Sequence, residues 1–388
     1  MSGAFRLAWR YLAYHKVRTA ILILCIALVG ALPLAVQILI ARYQESLAAR
    51  AAETPLVIGA PGSRFDLLLH SLYFRGELGR KLTLLDTEAI AASGLAIAVP
   101  LAIEDTARGF PLVGTTLDYF EFRGLHAARG TLPQLLGDAV LGAEAARSLG
   151  LSTGDKILSD SGKLYDIGST YPLRMHVCGV LAPRGTADDL AVFVDLRTAW
   201  VVSGLGHGHE SIGADTDPAL VLTQTDRRVT ANAAVREYTE ITDANRASFH
   251  FHGGGAEWPV TAVIVVPNDA KSGTILKARL EANPALEPIV PTVVLDETLD
   301  LVFRVKRFFD ANTLLVTVAT ALFLALIVAL GWKIRERERE TLFKIGAGRG
   351  MIVKLTVIEL GIVLVIGGAI AGGAVWIALV VIGTRWGL

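Results

Sequence analysis

The sequence predicts an α-helical membrane protein with three spans and a large mixed α/β extracytoplasmic domain inserted between the first and second. Three observations predict it. Stretches 20–41, 311–332 and 355–384 are almost wholly apolar, and a hydrocarbon core of roughly 30 Å needs about 20 such residues in a helix. The long middle, 42–310, alternates short β-rich runs with helical ones. Hydrophobic residues make up 52% of the 388, with 19% charged and a mean hydropathy of +0.49. That is too apolar for an ordinary soluble enzyme and too charged for membrane alone.

Residues 1–19 open the chain. Phe5, Trp9 and Leu12 fall at helical spacing among Arg6, Arg10, Lys16 and Arg18, which predicts an amphipathic helix on the cytoplasmic interface. The first span, 20–41, holds Pro33 and Gln37 and is longer than the ~7–15-residue apolar core of a signal peptide, so a retained anchor is expected. The middle follows, with β-rich runs starting at 56, 96, 110, 175, 190, 261 and 289 and helices expected at 139–149, 271–283 and from about 299. Segments 219–232 and 260–291 each suit a strand and a helix, whereas 203–213 and 250–257 are Gly-rich and read as irregular. Two lobes are expected, one built from both ends of the middle, the other a central insertion at approximately 158–260.

The second span, 311–332, has no charge. Residues 333–354 then read KIRERERETLFKIGAGRGMIVK, a basic loop that belongs on the cytoplasmic side by the positive-inside rule. With the basic N-terminus on the same side, 42–310 and the tail 385–388 lie across the membrane, in a bacterium the periplasm or exterior. The third span carries Glu359 at its edge, where a carboxylate is costly in lipid; pairing with Lys354 or a basic residue of the first helix is the plainer reading. Gly368 and Gly372 form a G-x-x-x-G step suited to close helix packing, within the chain or across a dimer.

The chemistry is mostly one of exclusions. Lys+Arg equals Asp+Glu at 37 each, so the whole-chain charge says nothing about nucleic acid, and no nucleic-acid partner is assigned. There is no phosphate loop; GLSTGDK at 150–156 has the wrong spacing and reads as a turn opening a strand. No catalytic residue and no cofactor are assigned to the chain. Asp188 and Asp189 are adjacent and expected to be solvated. Cys25 and Cys178 lie in different environments, so no intramolecular disulfide is expected. His207 and His209 flank a glycine, and His250 and His252 flank a phenylalanine. Alternate residues on a strand share a face, so each pair can converge on a zinc ion. Solvated loop histidines are commoner than ligands and the pairs are distant in sequence, so no metal is assigned.

RERERETLFKIGAGRGMIVKLTVIE (335–359) resembles the signature of FtsX-like ABC transporter permeases, and LAWRYLAYHKVRT resembles their N-terminal helix. VGTTLDYFEFRGLHAARGTLPQLLGDAVLGAEAARSLGLSTGDKI, with MHVCGVLAPRGTADDLAVFVDL further on, is similar to the periplasmic core domain of the macrolide-exporter, or MacB, group. The resemblance implies a permease of the bacterial inner (plasma) membrane, working as a homodimer or heterodimer by mechanotransmission. A cytoplasmic ABC ATPase subunit, carrying ATP and Mg, would supply the energy, and a periplasmic adaptor or lipoprotein would be a further partner. It implies an ATPase-coupling element in Thr341, Leu342, Phe343, Lys344, Ile345, Gly346, Ala347, Arg349, Met351 and Ile352, and stalks at 297–310 and 42–53. The expected function is export or release of a lipoprotein, peptide, drug or similar substrate; a non-transporting scaffold that regulates a cell-wall hydrolase, as in the division branch, is the alternative. The family has four spans against three here, which leaves truncation, a three-span variant or a partner-supplied helix open.

Overall fold

The computed structural model describes residues 3–160, 172–209, 221–225, 228–231, 238–251, 254–334, 340–341, 343–344, 346 and 348–386. They fall into two compact units, one of residues 1–46 with 299–388, the other of 47–298.

The first unit is helical. Gly3–Tyr14 forms the N-terminal helix, and its small residues Ala4 and Ala8, one turn apart, are buried as it packs on the helix Arg349–Trp386. Trp9 is half exposed, as an interfacial aromatic should be. The next helix runs unbroken from Lys16 to Ala52, through Pro33, and the helix Pro291–Ile334 is longer still, at 44 residues. Among the described residues, two segments are long and apolar enough to cross a membrane, Lys16–Leu39 and Gly350–Val380. The remaining expected span, 311–332, lies wholly within Pro291–Ile334.

The second unit holds two main sheets. In the smaller, the order is Glu287–Ile289, Leu56–Gly59, Ala262–Pro267, Ala96–Leu101, every neighbour antiparallel. Its strands come from both ends of the 47–298 stretch. Leu56, Ile58, Val263 and Val265 join Leu276 and Leu280 of the helix Ala270–Glu281 in one apolar core. Residues 262–289 make a split β-α-β unit, because Leu56–Gly59 lies between its two strands.

The larger sheet orders Thr106–Ala107, Phe110–Thr115, Val192–Asp195, Asp138–Leu141, Arg174–Leu181 and Ala127–Gly130, with Lys156–Leu158 also on Arg174–Leu181. Phe110–Thr115 with Val192–Asp195, and Asp138–Leu141 with Arg174–Leu181, are parallel pairs. Leu112, Leu141, Val177, Val192, Val194 and Trp200 form the core on one face. Beside it, Phe74, Tyr119, Phe120 and Phe193 pack ring on ring with centroids 5.5–6.0 Å apart, spacings typical of favourable aromatic pairs.

Four sequence expectations change. The run 139–149 is a strand, Asp138–Leu141, and then a helix, Ala143–Leu149, because Ala139–Leu141 is drawn into the sheet between two neighbours. Segment 219–232 holds a hairpin of Val221–Thr225 with Arg228–Ala231 and no helix among its described residues; its β-branched residues favour the pleated form. The β-rich run at 289 ends at once, since Pro291 opens the long helix, a position proline suits because it has no N–H to satisfy. Finally, the two Gly-rich segments read as irregular supply the strands Gly206–Gly208 and Phe249–Phe251, which pair with each other.

Candidate functional site

Among the described residues, three groups stand out for chemistry beyond packing. The first lies at the end of the helix Lys16–Ala52, where Arg50 is only 5% exposed. Its Nη1 donates to Asp188 Oδ2 at 2.7 Å, its Nη2 to Asp188 Oδ1 at 2.9 Å and to the Tyr119 hydroxyl at 3.1 Å; its Nε donates to the Leu72 carbonyl. The fork-on-fork contact with one carboxylate is the strongest geometry an arginine can make. Asp188 also accepts from the Tyr119 hydroxyl at 2.6 Å and from Thr186 Oγ1 at 2.9 Å. The guanidinium stands 5.7 Å from the Phe74 ring centre, so the aromatic cluster walls the pair off from water. Alongside, Arg123 donates to Thr54 Oγ1 at 2.9 Å.

Electrostatics follow from that burial. Desolvation pushes the Asp188 carboxyl up, but Arg50, the Tyr119 hydroxyl and the nearby Arg123 charge outweigh it and hold the group below the usual aspartate range. Desolvation likewise lowers Arg50, yet Tyr119 and Asp188 leave its pKa above the ordinary arginine value. Burial raises the Tyr119 phenol, and the neighbouring carboxylate adds to it, so it stays a neutral donor. Sequence reasoning expected Asp188 and Asp189 to be solvated; both are buried, at 2% and 8% exposure. Asp189 caps the turn before it, accepting from the Arg184 and Gly185 amides. Arg50 was not foreseen, because its partner lies 138 residues away and no local motif joins them.

The second group is the basic segment. Thr341, Phe343 and Lys344 are helical and exposed, Phe343 at 58%. Gly346 takes a left-handed backbone, φ +99°, and its amide closes a turn onto the Phe343 carbonyl at 3.0 Å. The chain becomes helical again at Arg349, with Met351 exposed and Ile352 half-buried. Leu342, Ile345 and Ala347 lie outside the described residues, as does the Arg349 side chain. Glu359 on the following helix is buried, at 7% exposure. At Gly368 and Gly372 an added Cβ would meet nothing within 4 Å, whereas at Gly367 it would come within 2.8 Å of Ile26. Among the described residues, the close approach inside the chain therefore falls one position before the G-x-x-x-G step.

The third group is three histidines. His207 and His250 are opposite each other in the pairing of Gly206–Gly208 with Phe249–Phe251, and His209 lies two residues on. One ring nitrogen from each falls within 4.8 Å of the others. His252 lies outside the described residues. This donor set suits a transition-metal ion. The arrangement explains the glycines: a Cβ at Gly206 or Gly208 would come within 2.6 Å of the Phe251 or Phe249 ring. Phe249 is in the core, so the phenylalanines take one face of the ribbon and the imidazoles the other.

Cys178 is buried, and its thiol donates weakly to the Thr131 and Ala139 carbonyls; both cysteines are unpaired.

The MacB-like periplasmic core domain matches this chain over residues 19–241, more than half its length. Among solved structures, the periplasmic region of MacB from Actinobacillus actinomycetemcomitans is similar at 12% identity and a TM-score of 0.38, over 64% of this chain and 92% of that one. The extracellular domain of the noncanonic ABC-type transporter YknZ from Gram-positive bacteria is similar at 13% identity and a TM-score of 0.33, over 61% and 99%. A comparison with curated proteins gave no match. With the domain match extending over the first long helix and into the larger sheet, the chain belongs to the MacB/FtsX-like family of ABC transporter permeases.

Proposed function

We propose that this protein is the permease subunit of an ABC-type transporter, coupling ATP hydrolysis on a separate cytoplasmic ATPase to movement of its periplasmic domain. The reading includes three membrane spans in the bacterial inner membrane, with 42–310 on the periplasmic side and a second permease copy completing the assembly. Export or release of a lipoprotein, peptide, drug or similar substrate is the outcome of that movement.

The observation that carries the reading is the end of the helix Lys16–Ala52. A span whose helix continues past the apolar stretch needs a firm grip at its far end to transmit force, and Arg50 on Asp188 and Tyr119 supplies one. Exposed Phe343 and Met351, on either side of the Gly346 turn, give an ATPase an apolar foothold in an otherwise basic loop.

The test is co-purification of the membrane-extracted chain. An ATPase that remains bound to the wild type and is lost on Phe343→Ala or Gly346→Val supports the reading. Unaltered association sinks the docking assignment, and recovery of a cell-wall hydrolase with no ATPase replaces transport by hydrolase regulation.

A further inference from the structure

We infer that His207, His209 and His250 form a binding site for a borderline divalent transition metal, with zinc as the natural probe. The site is independent of the coupling elements and goes beyond the transport reading.

The first support is that the backbone, not chance rotamers, assembles the three rings. His207 and His250 are cross-strand partners in antiparallel register, which puts side chains on one face with Cβ atoms about 4.5–5.5 Å apart. His209, two positions along, shares that face. The ring centroids stand 4.7, 4.9 and 5.7 Å apart. All three are half-buried, sheltered from bulk water yet open to an arriving ion.

The second is that one ligand is already oriented. His250 Nδ1 lies 3.2 Å from the Ser248 carbonyl; a carbonyl only accepts, so Nδ1 must carry the proton. In the neutral ring, Nε2 is then the nitrogen that would ligate an ion. A backbone carbonyl fixing the tautomer of a histidine is the usual outer partner of a metal ligand.

The third is distance. Zinc–nitrogen bonds of about 2.0–2.1 Å put tetrahedral ligand atoms about 3.4 Å apart. The present nitrogens are within 4.8 Å, so small rotations of the rings close the site.

The donor set selects the ion. Neutral imidazole suits zinc, copper and nickel, while calcium and magnesium demand oxygen. Among the described residues the site offers three protein ligands, and a tetrahedral ion takes one further donor. The glycines alternating with His207 and His209 keep the opposite face flat against Phe249 and Phe251, so the ribbon rests on a packed base.

The experiment uses the full-length, untagged protein in detergent, stripped with chelator and titrated with Zn²⁺ against a chromogenic competitor. The expected result is one ion per chain, a thermal shift on adding zinc, and visible absorption typical of four-coordinate Co²⁺ when it replaces zinc. His207→Ala and His250→Ala should each weaken binding by more than the roughly 10–100-fold that an outer-shell partner contributes. His209 lies just past the paired strand, so His209→Ala tests the site without touching the strand pairing and should give a similar loss. His176→Ala, an exposed histidine elsewhere, should change nothing. Absence of saturable binding, or binding unchanged in the triple variant, overturns the proposal.

Discussion

An arginine taken out of water is tolerated only where its donors find acceptors, and Arg50 finds them in Asp188, Tyr119 and Leu72. Removing one partner strands the other. Asp188→Asn is therefore expected to destabilise the 47–298 unit by about 3–5 kcal/mol, read from denaturant unfolding. Tyr119→Phe, which loses one hydroxyl from the network, should cost about 1–3 kcal/mol. The double change Arg50→Met with Asp188→Leu should approach wild-type stability, since a well-packed apolar pair often equals a buried ion pair. The pH dependence has a definite sign. The Asp188 carboxyl is depressed in the fold, so its contribution is full above about pH 4, the ordinary aspartate value, and fades as pH falls through the lower folded value. Burial lowers the His70 pKa; the unfolded chain takes up that proton first, so stability also declines as pH drops below about 6.5. Acid melts of the wild type should show both declines, and Asp188→Asn should lose the Asp188 share of the lower one while keeping the decline from His70. At Cys178, burial pushes the thiol up to about 12, so the native protein should resist alkylation there at neutral pH and react after unfolding.

At the scale of elements, glycines do opposite jobs in two places. In Gly206–Gly208 they make room for phenylalanine rings, and Gly208→Val should cost about 1–3 kcal/mol by overpacking, seen as a lower melting temperature. At Gly346 the requirement is conformational: a φ of +99° penalises any side chain by roughly 1–2 kcal/mol. The sequence made some of this legible and hid the rest for physical reasons. Alternation placed each histidine pair on one strand face, because a strand has period two. That His207 and His209 meet His250 could not be read, because glycine is depleted in strands and both segments looked irregular. The runs at 56, 96, 110, 175, 190 and 261 do contain strands, since β-branched residues in short apolar runs have few alternatives. Residues 139–149 misled because AVLGAEAARSL suits a helix until two neighbouring strands claim its start.

For the molecule as a whole, the family was legible in the motif at 113–157, inside the matched stretch 19–241, whereas the grip at Arg50 was not, since it depends on tertiary contact alone. That grip sets a whole-chain prediction. A fragment of 47–298, which has its own two cores, should fold in solution. A fragment beginning at 56 lacks Arg50 and should be less stable by about 3–5 kcal/mol, measured by thermal and denaturant melts of the two. The same residue constrains biogenesis. Asp188 is 138 residues downstream of Arg50, so at about 5–20 residues per second the ribosome delivers it about 7–30 s later. Throughout that interval Arg50, at the end of the helix Lys16–Ala52, lacks its Asp188 partner. Its guanidinium must wait in a hydrated state, which makes the newborn domain, before residue 188 emerges, the form most exposed to proteases and most in need of a holding chaperone.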